Sequence, residues 1–217
     1  MIELNVDGKL VQAEEGKSLL QVCLENGIYV PNLCFLEEMT NPPVSCRLCF
    51  VEIRGKKDPV PSCKIHPEAG MEVVTDSPRV RRLQRTALRL LLSAHRADCR
   101  KCPSNRHCEL QHMVRFLGGV RLKPRRYENL ARELPPGEEH PVLEYRLHRC
   151  VLCGRCIYVC GKLHGMSLLT FAKRGFNTIV SAFGEEETGL RCLQCRACVQ
   201  ICPVSALAIK EAPTGGL

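Results

Sequence analysis

Two runs of closely spaced cysteines near the end of the chain carry the strongest chemical signal in the sequence. Both runs have the spacing C-x2-C-x2-C-x3-C, and Pro203 follows the second run where Gly161 follows the first. This spacing, when it occurs twice, is typical of proteins that bind two [4Fe-4S] clusters. Structural zinc, the alternative for clustered cysteines, normally takes paired C-x2-C motifs and not a repeated triple run. The sequence therefore predicts two iron-sulfur clusters here.

The spacing also predicts which cysteines share a cluster. Three cysteines at three-residue intervals can wrap around one cubane, whereas the fourth enters a helix and ligates the partner cluster, as in bacterial-type ferredoxins. We therefore expect Cys202 to complete the cluster of the first run and Cys160 to complete that of the second. The two predicted ligand sets are Cys150, Cys153, Cys156 and Cys202 for one cluster, and Cys192, Cys195, Cys198 and Cys160 for the other.

A third group of cysteines lies in the middle of the chain and is one ligand short of a cubane. It has the spacing C-x2-C-x5-C over residues 99–108. A histidine can supply a fourth ligand. His95 lies four residues before the first of these cysteines, at the end of a predicted helix, and His107 and His112 are also nearby. The spacing alone leaves the choice among these histidines open.

The first group of cysteines has the spacing C-x11-C-x2-C-x13-C over residues 34–63. It retains the central C-x2-C of plant-type [2Fe-2S] proteins, but the first gap is longer and the last is shorter. Zinc remains an alternative on spacing alone. Cys23 lies outside the group on the apolar side of a predicted helix, so we expect it to be a core residue, since free cysteine behaves as a small hydrophobe.

The elements before this group have the order of a β-grasp ferredoxin. Residues 2–14 alternate in polarity around Asp7-Gly8, which predicts a β-hairpin with a type I′ turn. Ser18 and Gln21 predict a capped helix that ends at Asn26-Gly27. Strands are predicted at 48–53 and 72–75. This order favours [2Fe-2S] over zinc.

The remaining elements are helices and a hairpin. An amphipathic helix is predicted over 78–95 and a second over 109–117, and residues 120–142 read as a linker. Between the two final cysteine runs, residues 167–171 and 178–181 predict a β-hairpin inserted into the ferredoxin core.

With all three groups in place, the chain resembles a known family over essentially its full length. Its order is similar to that of the N-terminal accessory region of iron-only hydrogenases, and of the corresponding subunits of NAD(P)-linked hydrogenases, formate dehydrogenases and transhydrogenases. Its first part resembles the N-terminal region of the large iron-sulfur subunit of respiratory complex I. The local sequence of the middle group, DCRKC at 98–102 and CELQ at 108–111, is similar to the sequence of that family in the same region.

The resemblance implies a complete set of ligands. It selects His95 as the fourth ligand of the middle cubane and agrees with the crossed assignment in the final pair. The implied ligands are Cys34, Cys46, Cys49 and Cys63 for a [2Fe-2S] cluster, and His95, Cys99, Cys102 and Cys108 for a [4Fe-4S] cluster.

We accordingly expect an α+β protein with three cluster-binding domains. An N-terminal β-grasp [2Fe-2S] domain would occupy 1–78, and a small helical [4Fe-4S] domain with one histidine and three cysteine ligands would occupy 79–119. After the linker 120–142, a bacterial-type ferredoxin domain with two [4Fe-4S] clusters would occupy 143–217.

The expected function is electron transfer without catalysis. The sequence contains no nucleotide-binding fingerprint, and its end at residue 217 leaves no room for a hydrogen-activating or molybdopterin-type domain. The resemblance implies a hetero-oligomer: the chain would relay single electrons between a flavin-containing NAD(P)H-oxidising subunit of the complex I type and a second redox unit. That unit would be a hydrogenase, formate dehydrogenase, transhydrogenase or ferredoxin.

Charge and hydropathy bear on location and on the alternative function. The sequence has neither a signal peptide nor an apolar stretch long enough to span a membrane, so we expect a cytoplasmic protein without membrane insertion. The net charge of +8 and the arginines of helix 78–95 suggest a zinc-containing nucleic-acid binder as the alternative. No aromatic residue accompanies these arginines. Four oxidised clusters would carry about −7 together, which compensates the charge.

Overall fold

A computed structural model describes residues 1–121, 140, 142–182, 192 and 194–210. The described residues form a mixed α and β structure with two compact units. The first unit contains 1–91 and the described part of 112–122, and the second contains 92–111 and the described part of 123–217. The stretch 79–119, predicted as one domain, thus contributes to both units. No helix among the described residues has the length and apolarity needed to span a membrane.

The first unit is built on a five-stranded sheet with the order β2-β1-β5-β3-β4. Strand β1 pairs in parallel with β5, and the other neighbours are antiparallel. The predicted hairpin and the predicted last strand are present, and the strand predicted at 48–53 begins two residues later. The strands are β1 Ile2–Val6, β2 Lys9–Ala13, β3 Phe50–Ile53, β4 Val60–Pro61 and β5 Glu72–Val74.

The hairpin turn follows the prediction and also connects the hairpin to a distant segment. Asp7 and Gly8 both have positive φ, at 51° and 83°, as a type I′ turn requires. The Asp7 carboxylate accepts hydrogen bonds from the Thr75 backbone N–H (2.8 Å) and hydroxyl (2.5 Å). The turn therefore fixes the chain just after β5.

Helix α1, Leu19–Glu25, covers one face of this sheet. The Ser18 hydroxyl accepts a hydrogen bond from the Gln21 N–H at 3.2 Å, as predicted, but the Gln21 side chain donates to Glu25, so the reciprocal half of the capping box is missing. Leu19, Leu20 and Cys23 are fully buried against strand residues that include Leu4 and Val6. The prediction that Cys23 belongs to the core is confirmed.

Two further helices carry the residues around the middle cysteine group. Helix α2, Pro78–Ser93, ends two residues before the predicted limit, and α3, Glu109–Leu117, has the predicted bounds. Within the first unit, Arg85 donates to the Leu117 carbonyl at 2.9 Å and Arg89 donates to that of Gly119 at 3.2 Å. These contacts place cations at the C-terminal end of α3, where the helix dipole favours them.

The described residues of the second unit include two helices that lie wholly within it, a hairpin and a short strand pair. Strands β7 and β8 form the predicted inserted hairpin, shifted by one or two residues, and β6 pairs antiparallel with β9, which the sequence did not predict. The elements are β6 Leu143–Tyr145, α4 Arg155–His164, β7 Leu169–Ala172, β8 Ile179–Ala182, α5 Ala197–Gln200 and β9 Leu207–Ile209.

Candidate metal centres

The four cysteines of the first group are all buried and form two thiol pairs. The Sγ atoms of Cys34 and Cys46 lie 3.4 Å apart, and Cys49 pairs with Cys63. A [2Fe-2S] cluster takes four cysteine ligands, two on each iron. The arrangement in two pairs fits that centre.

The pKa values of these four thiols depend on the hydrogen bonds within the two pairs. The hydrogen bond within the first pair lowers the pKa of Cys34 to about 5 and raises the pKa of Cys46. The hydrogen bond within the second pair lowers the pKa of Cys49 and raises that of Cys63. In each pair, therefore, one thiol has a lowered pKa, which favours the thiolate form that binds metal.

The ligand loops of this group are held by backbone geometry and by one buried hydroxyl. Ser62 is fully buried, and its hydroxyl and its N–H both donate to the Cys49 carbonyl at 2.8 Å. These bonds fix Cys63 beside Cys49. On either side of Cys46, Val44 and Arg47 adopt left-handed backbone with φ of 55° and 53°. Such conformations cost about 1–3 kcal/mol each in residues other than glycine, and they cluster at functional sites.

The three cysteines of the middle group lie at the ends of two short elements. A 3-10 helix covers Cys99–Lys101, and Cys108 directly precedes α3. Burial is the largest cause of a raised pKa for Cys108, and the charges of Cys102 and Cys99 raise it further. The three thiols are therefore close enough to interact.

His95 is oriented as a metal-binding histidine would be. Its Nδ1 lies 2.8 Å from the Arg149 carbonyl oxygen. Because a carbonyl can only accept, Nδ1 donates this hydrogen bond, and in the neutral imidazole the lone pair is then on Nε2. Metal-binding histidines characteristically donate their other ring N–H to a carbonyl or a carboxylate. Of the other two candidates, His107 is exposed and His112 is hydrogen-bonded to the Tyr29 hydroxyl at 3.1 Å.

The eight cysteines of the final pair of runs line two cavities within the second unit. Each cavity brings together three cysteines of one run and the fourth cysteine of the other. Apolar residues such as Val180 and Val204 complete the first cavity, and Leu168 and Leu169 complete the second. The first is lined by Cys150, Cys153, Cys156 and Cys202, and the second by Cys160, Cys192, Cys195 and Cys198.

The backbone repeats its conformation around the two runs. Gly154 and Arg196, each directly after the second cysteine of a run, both adopt left-handed backbone, with φ of 78° and 51°. Each is followed by a helix, α4 or α5, whose second residue is the third cysteine of its run. The fourth cysteines differ, because Cys160 lies inside α4 and Cys202 lies just beyond α5.

Burial makes these thiols unfavourable as free thiolates. Burial is the main cause that raises the pKa of Cys153 and of Cys198 to about 12. Burial also raises the pKa of Cys156, by a larger amount. A bound metal supplies the positive charge that deprotonates such thiols. Two backbone N–H groups also donate to sulfur: that of Leu152 to Cys150 Sγ at 3.4 Å, and that of Ala206 to Cys202 Sγ at 3.2 Å. Such bonds stabilise sulfur in its charged form and tune cluster potentials.

A single-ion zinc site has a different geometry. Structural zinc takes four ligands on one ion. Within the described parts of the chain, no group of three or more His, Cys, Asp or Glu side chains could hold one metal ion. The thiol pairs and the cysteine-lined cavities instead fit centres in which each iron takes one or two protein ligands.

Comparison with known proteins agrees with this geometry. Residues 1–78 match the family model of the 2Fe-2S iron-sulfur cluster binding domain, and residues 84–119 match that of the NADH-ubiquinone oxidoreductase-G iron-sulfur binding region. The chain is 33% identical, over 97% of its length, to NADP-reducing hydrogenase subunit HndD of Solidesulfovibrio fructosivorans. It is 32% identical, over 95% of its length, to an NADH-quinone oxidoreductase subunit of Rhizobium meliloti.

The chain is a homologue of these NADH-quinone oxidoreductase and NAD(P)-linked hydrogenase subunits. The resemblance expected from the cysteine pattern is confirmed. A chain of the NAD+-reducing [NiFe]-hydrogenase, solved in the H2-reduced state, is similar in structure, with a TM-score of 0.81 and 28% identity over 99% of this chain and 90% of that one. The chain spans 36% of the HndD protein and 24% of the Rhizobium meliloti homologue.

Two buried arginines next to predicted ligands were not identified as candidate functional residues from the sequence. Arg149 and Arg155 are buried, although arginines are normally exposed. A signal was present, because each directly precedes a predicted ligand, Cys150 or Cys156.

Proposed function

We propose that this chain is an electron-transfer subunit that binds one [2Fe-2S] and three [4Fe-4S] clusters. The observation that carries the proposal is the pair of cavities in the second unit, each lined by the four cysteines of a crossed set. Four cysteines around one mainly apolar space are what a cubane requires. The two thiol pairs of the first group and the orientation of His95 support the other two centres.

The domain organisation proposed with this function follows the ligand sets. Residues 1–78 would form the [2Fe-2S] domain, 79–119 the histidine-ligated [4Fe-4S] domain and 143–217 the two-cluster ferredoxin domain. The ligands of the last domain would be the crossed sets that line the two cavities.

When bound, the clusters would supply one-electron redox chemistry. The residues of the chain provide the environment for it. The apolar linings limit the access of water, and the N–H groups of Leu152 and Ala206 stabilise charge on sulfur. The Arg149 carbonyl fixes the tautomer and the ring orientation of His95. No residue is proposed to act catalytically, so the chemistry at substrates belongs to partner subunits.

The proposed partners follow from the homologues. Their names place them in NADH-quinone oxidoreductase, in NADP-reducing hydrogenase and in NAD+-reducing hydrogenase. We infer a cytoplasmic hetero-oligomer in which a flavin-containing NAD(P)H-oxidising subunit exchanges electrons with this chain. A hydrogenase, formate dehydrogenase, transhydrogenase or ferredoxin would be the second redox partner.

The alternative of a zinc-containing nucleic-acid binder is not favoured. Helix α2 was its main support, but most of its arginines bind acceptors within the first unit. Besides Arg85 and Arg89, Arg79 contacts the Lys57 carbonyl and Asp58, and Arg81 pairs with Asp76.

The test is a reductive titration of the purified full chain under anaerobic conditions. Dithionite is added in known amounts, and the reduced clusters are counted by electron paramagnetic resonance (EPR). Four one-electron centres should take up about four electrons per chain and return them to an added one-electron oxidant. A chain that contains iron but accepts fewer than two electrons would contradict the relay function.

A further inference from the structure

Two buried arginines lie between the ligand loops of two different predicted clusters. Arg149 and Arg155 are each only 7% exposed. Arg149 directly precedes Cys150, and Arg155 directly precedes Cys156, in the ligand loop of the first cavity. A buried cation is strongly unfavourable unless a negative charge or hydrogen bonds compensate it. These two residues therefore require a compensating group.

Arg149 connects this loop to the loop of the histidine-ligated cluster. Its carbonyl accepts the hydrogen bond from His95 Nδ1 at 2.8 Å, and its guanidinium donates to the Lys101 carbonyl at 3.4 Å. Lys101 lies between Cys99 and Cys102. Arg149 thus contacts both His95 and the segment between Cys99 and Cys102, and it directly precedes Cys150.

Arg155 makes a second connection between the same two loops. Its guanidinium forms an ion pair with Glu109 at 2.7 Å. Glu109 directly follows Cys108 and is the first residue of α3. The ion pair therefore joins the last ligand of the middle set to the start of α4, where Cys156 lies.

The protein compensates these two cations only in part. Among the described residues, Nη1 of Arg149 and Nε of Arg155 are buried and have no hydrogen-bond partner. The charge of Glu144 interacts with that of Arg149, but Glu144 forms a bidentate ion pair with Arg146. Glu109 is 41% exposed, so solvent weakens its pairing with Arg155. Two oxidised clusters ligated by these loops would supply the missing negative charge, about −2 and −1.

We propose that Arg149 and Arg155 are positioning residues that fasten the two ligand loops together and act as buried counter-charges to both clusters. The inference rests on the proposed function. A cation close to a cluster favours its more negative, reduced form, so both arginines raise the reduction potentials of the two clusters that they adjoin. Because Arg149 contacts both loops, a single substitution should shift two potentials at once.

The experiment is an EPR-monitored redox titration of the full chain, with iron content measured on every sample. The variants are Arg149→Gln, Arg149→Lys and Arg155→Gln, and Arg174→Gln is the control because it removes the same charge from an exposed position on the inserted hairpin. Arg149→Gln should move the midpoints of the histidine-ligated cubane and of the Cys150 cubane to more negative values. Arg149→Lys should restore both, and Arg174→Gln should shift neither.

Each outcome decides the inference. Unchanged midpoints in an iron-replete Arg149→Gln variant would overturn it, as would equal shifts in Arg174→Gln. If Arg149→Gln fails to retain iron, the other two variants decide. Wild-type midpoints in Arg149→Lys together with lowered midpoints in Arg155→Gln support the proposal. Any other pattern in these two variants refutes it. A wild-type chain without iron would instead refute the proposed function.

Discussion

The crossed ligation of the last two clusters makes a prediction about which cysteines act together. Cys153 and Cys202 line one cavity, although they are 49 positions apart in the sequence, whereas Cys153 and Cys160 of the same run line different cavities. We therefore compare the single variants Cys153→Ala, Cys160→Ala and Cys202→Ala with two double variants. The double variant Cys153→Ala with Cys202→Ala removes two of the four cysteines of one cavity. The double variant Cys153→Ala with Cys160→Ala removes one cysteine from each cavity.

The expected magnitudes follow from the cavity linings. Each single substitution removes a ligand of one cubane, and alanine cannot replace it, so about 4 of the roughly 14 irons per chain should be lost. Cys153→Ala with Cys202→Ala should also lose about 4 irons, because both changes affect the same cluster. Cys153→Ala with Cys160→Ala should lose about 8, because the effects of independent sites add.

The assay is iron and acid-labile sulfide per chain after anaerobic purification, together with the EPR signals that remain. Cys23→Ala is the matched control, because Cys23 is a buried cysteine of the core outside every predicted ligand set and its loss should leave iron unchanged. The reverse pattern, with about 8 irons lost from the first double variant and about 4 from the second, would show that each run ligates its own cluster and would refute the crossed assignment.

Three further predictions test individual parts of the account. Replacing neutral imidazole by thiolate adds a negative charge to the middle cubane, so His95→Cys should lower its midpoint potential in a redox titration; a midpoint that stays or rises contradicts His95 as ligand. Ser18→Ala removes the N-cap hydrogen bond of α1 and should lower the free energy of unfolding by about 1 kcal/mol in a urea titration, whereas exposed Glu15→Ala should have little effect; equal losses would show that the cap is not the cause. The hydrogen bond from Arg81 lowers the pKa of Asp76 in the folded state. This pair therefore stabilises the folded state at pH values above the unfolded-state pKa of Asp76, about 3.9. The stabilisation is lost as the pH falls through the folded-state pKa. Asp76→Asn should therefore destabilise the chain at pH 7 more than at pH 3 in urea titrations at both pH values, and an equal loss at both would refute the linkage.

Local chemistry made much of the fold predictable. The turn at Asp7-Gly8 and the cap at Ser18 each depend on residues within a few positions, and both are present. Helix α3 begins and ends where its apolar pattern and Gly118 predicted. The cysteine spacing likewise predicted the two groups of four that line the cavities, because loop length restricts where successive thiols can meet.

The rest depends on contacts between residues distant in the sequence. Strands β6 and β9 have three residues each, too few for a periodic pattern, and they pair across more than 60 positions. The Gln21 side chain donates to Glu25 and does not accept from the Ser18 N–H, and the local sequence does not distinguish between these two arrangements. Arg149 is buried and contacts His95 and Lys101, which lie 54 and 48 positions away, and no local pattern encodes such contacts.

The central claim is that the cysteines hold iron-sulfur clusters, and metal analysis of the purified chain tests it most directly. The account predicts a brown protein with about 14 irons, a matching amount of acid-labile sulfide and no stoichiometric zinc. A count near 8 irons would mean that two ligand groups are misassigned. A colourless chain filled with zinc and free of acid-labile sulfide would contradict the account.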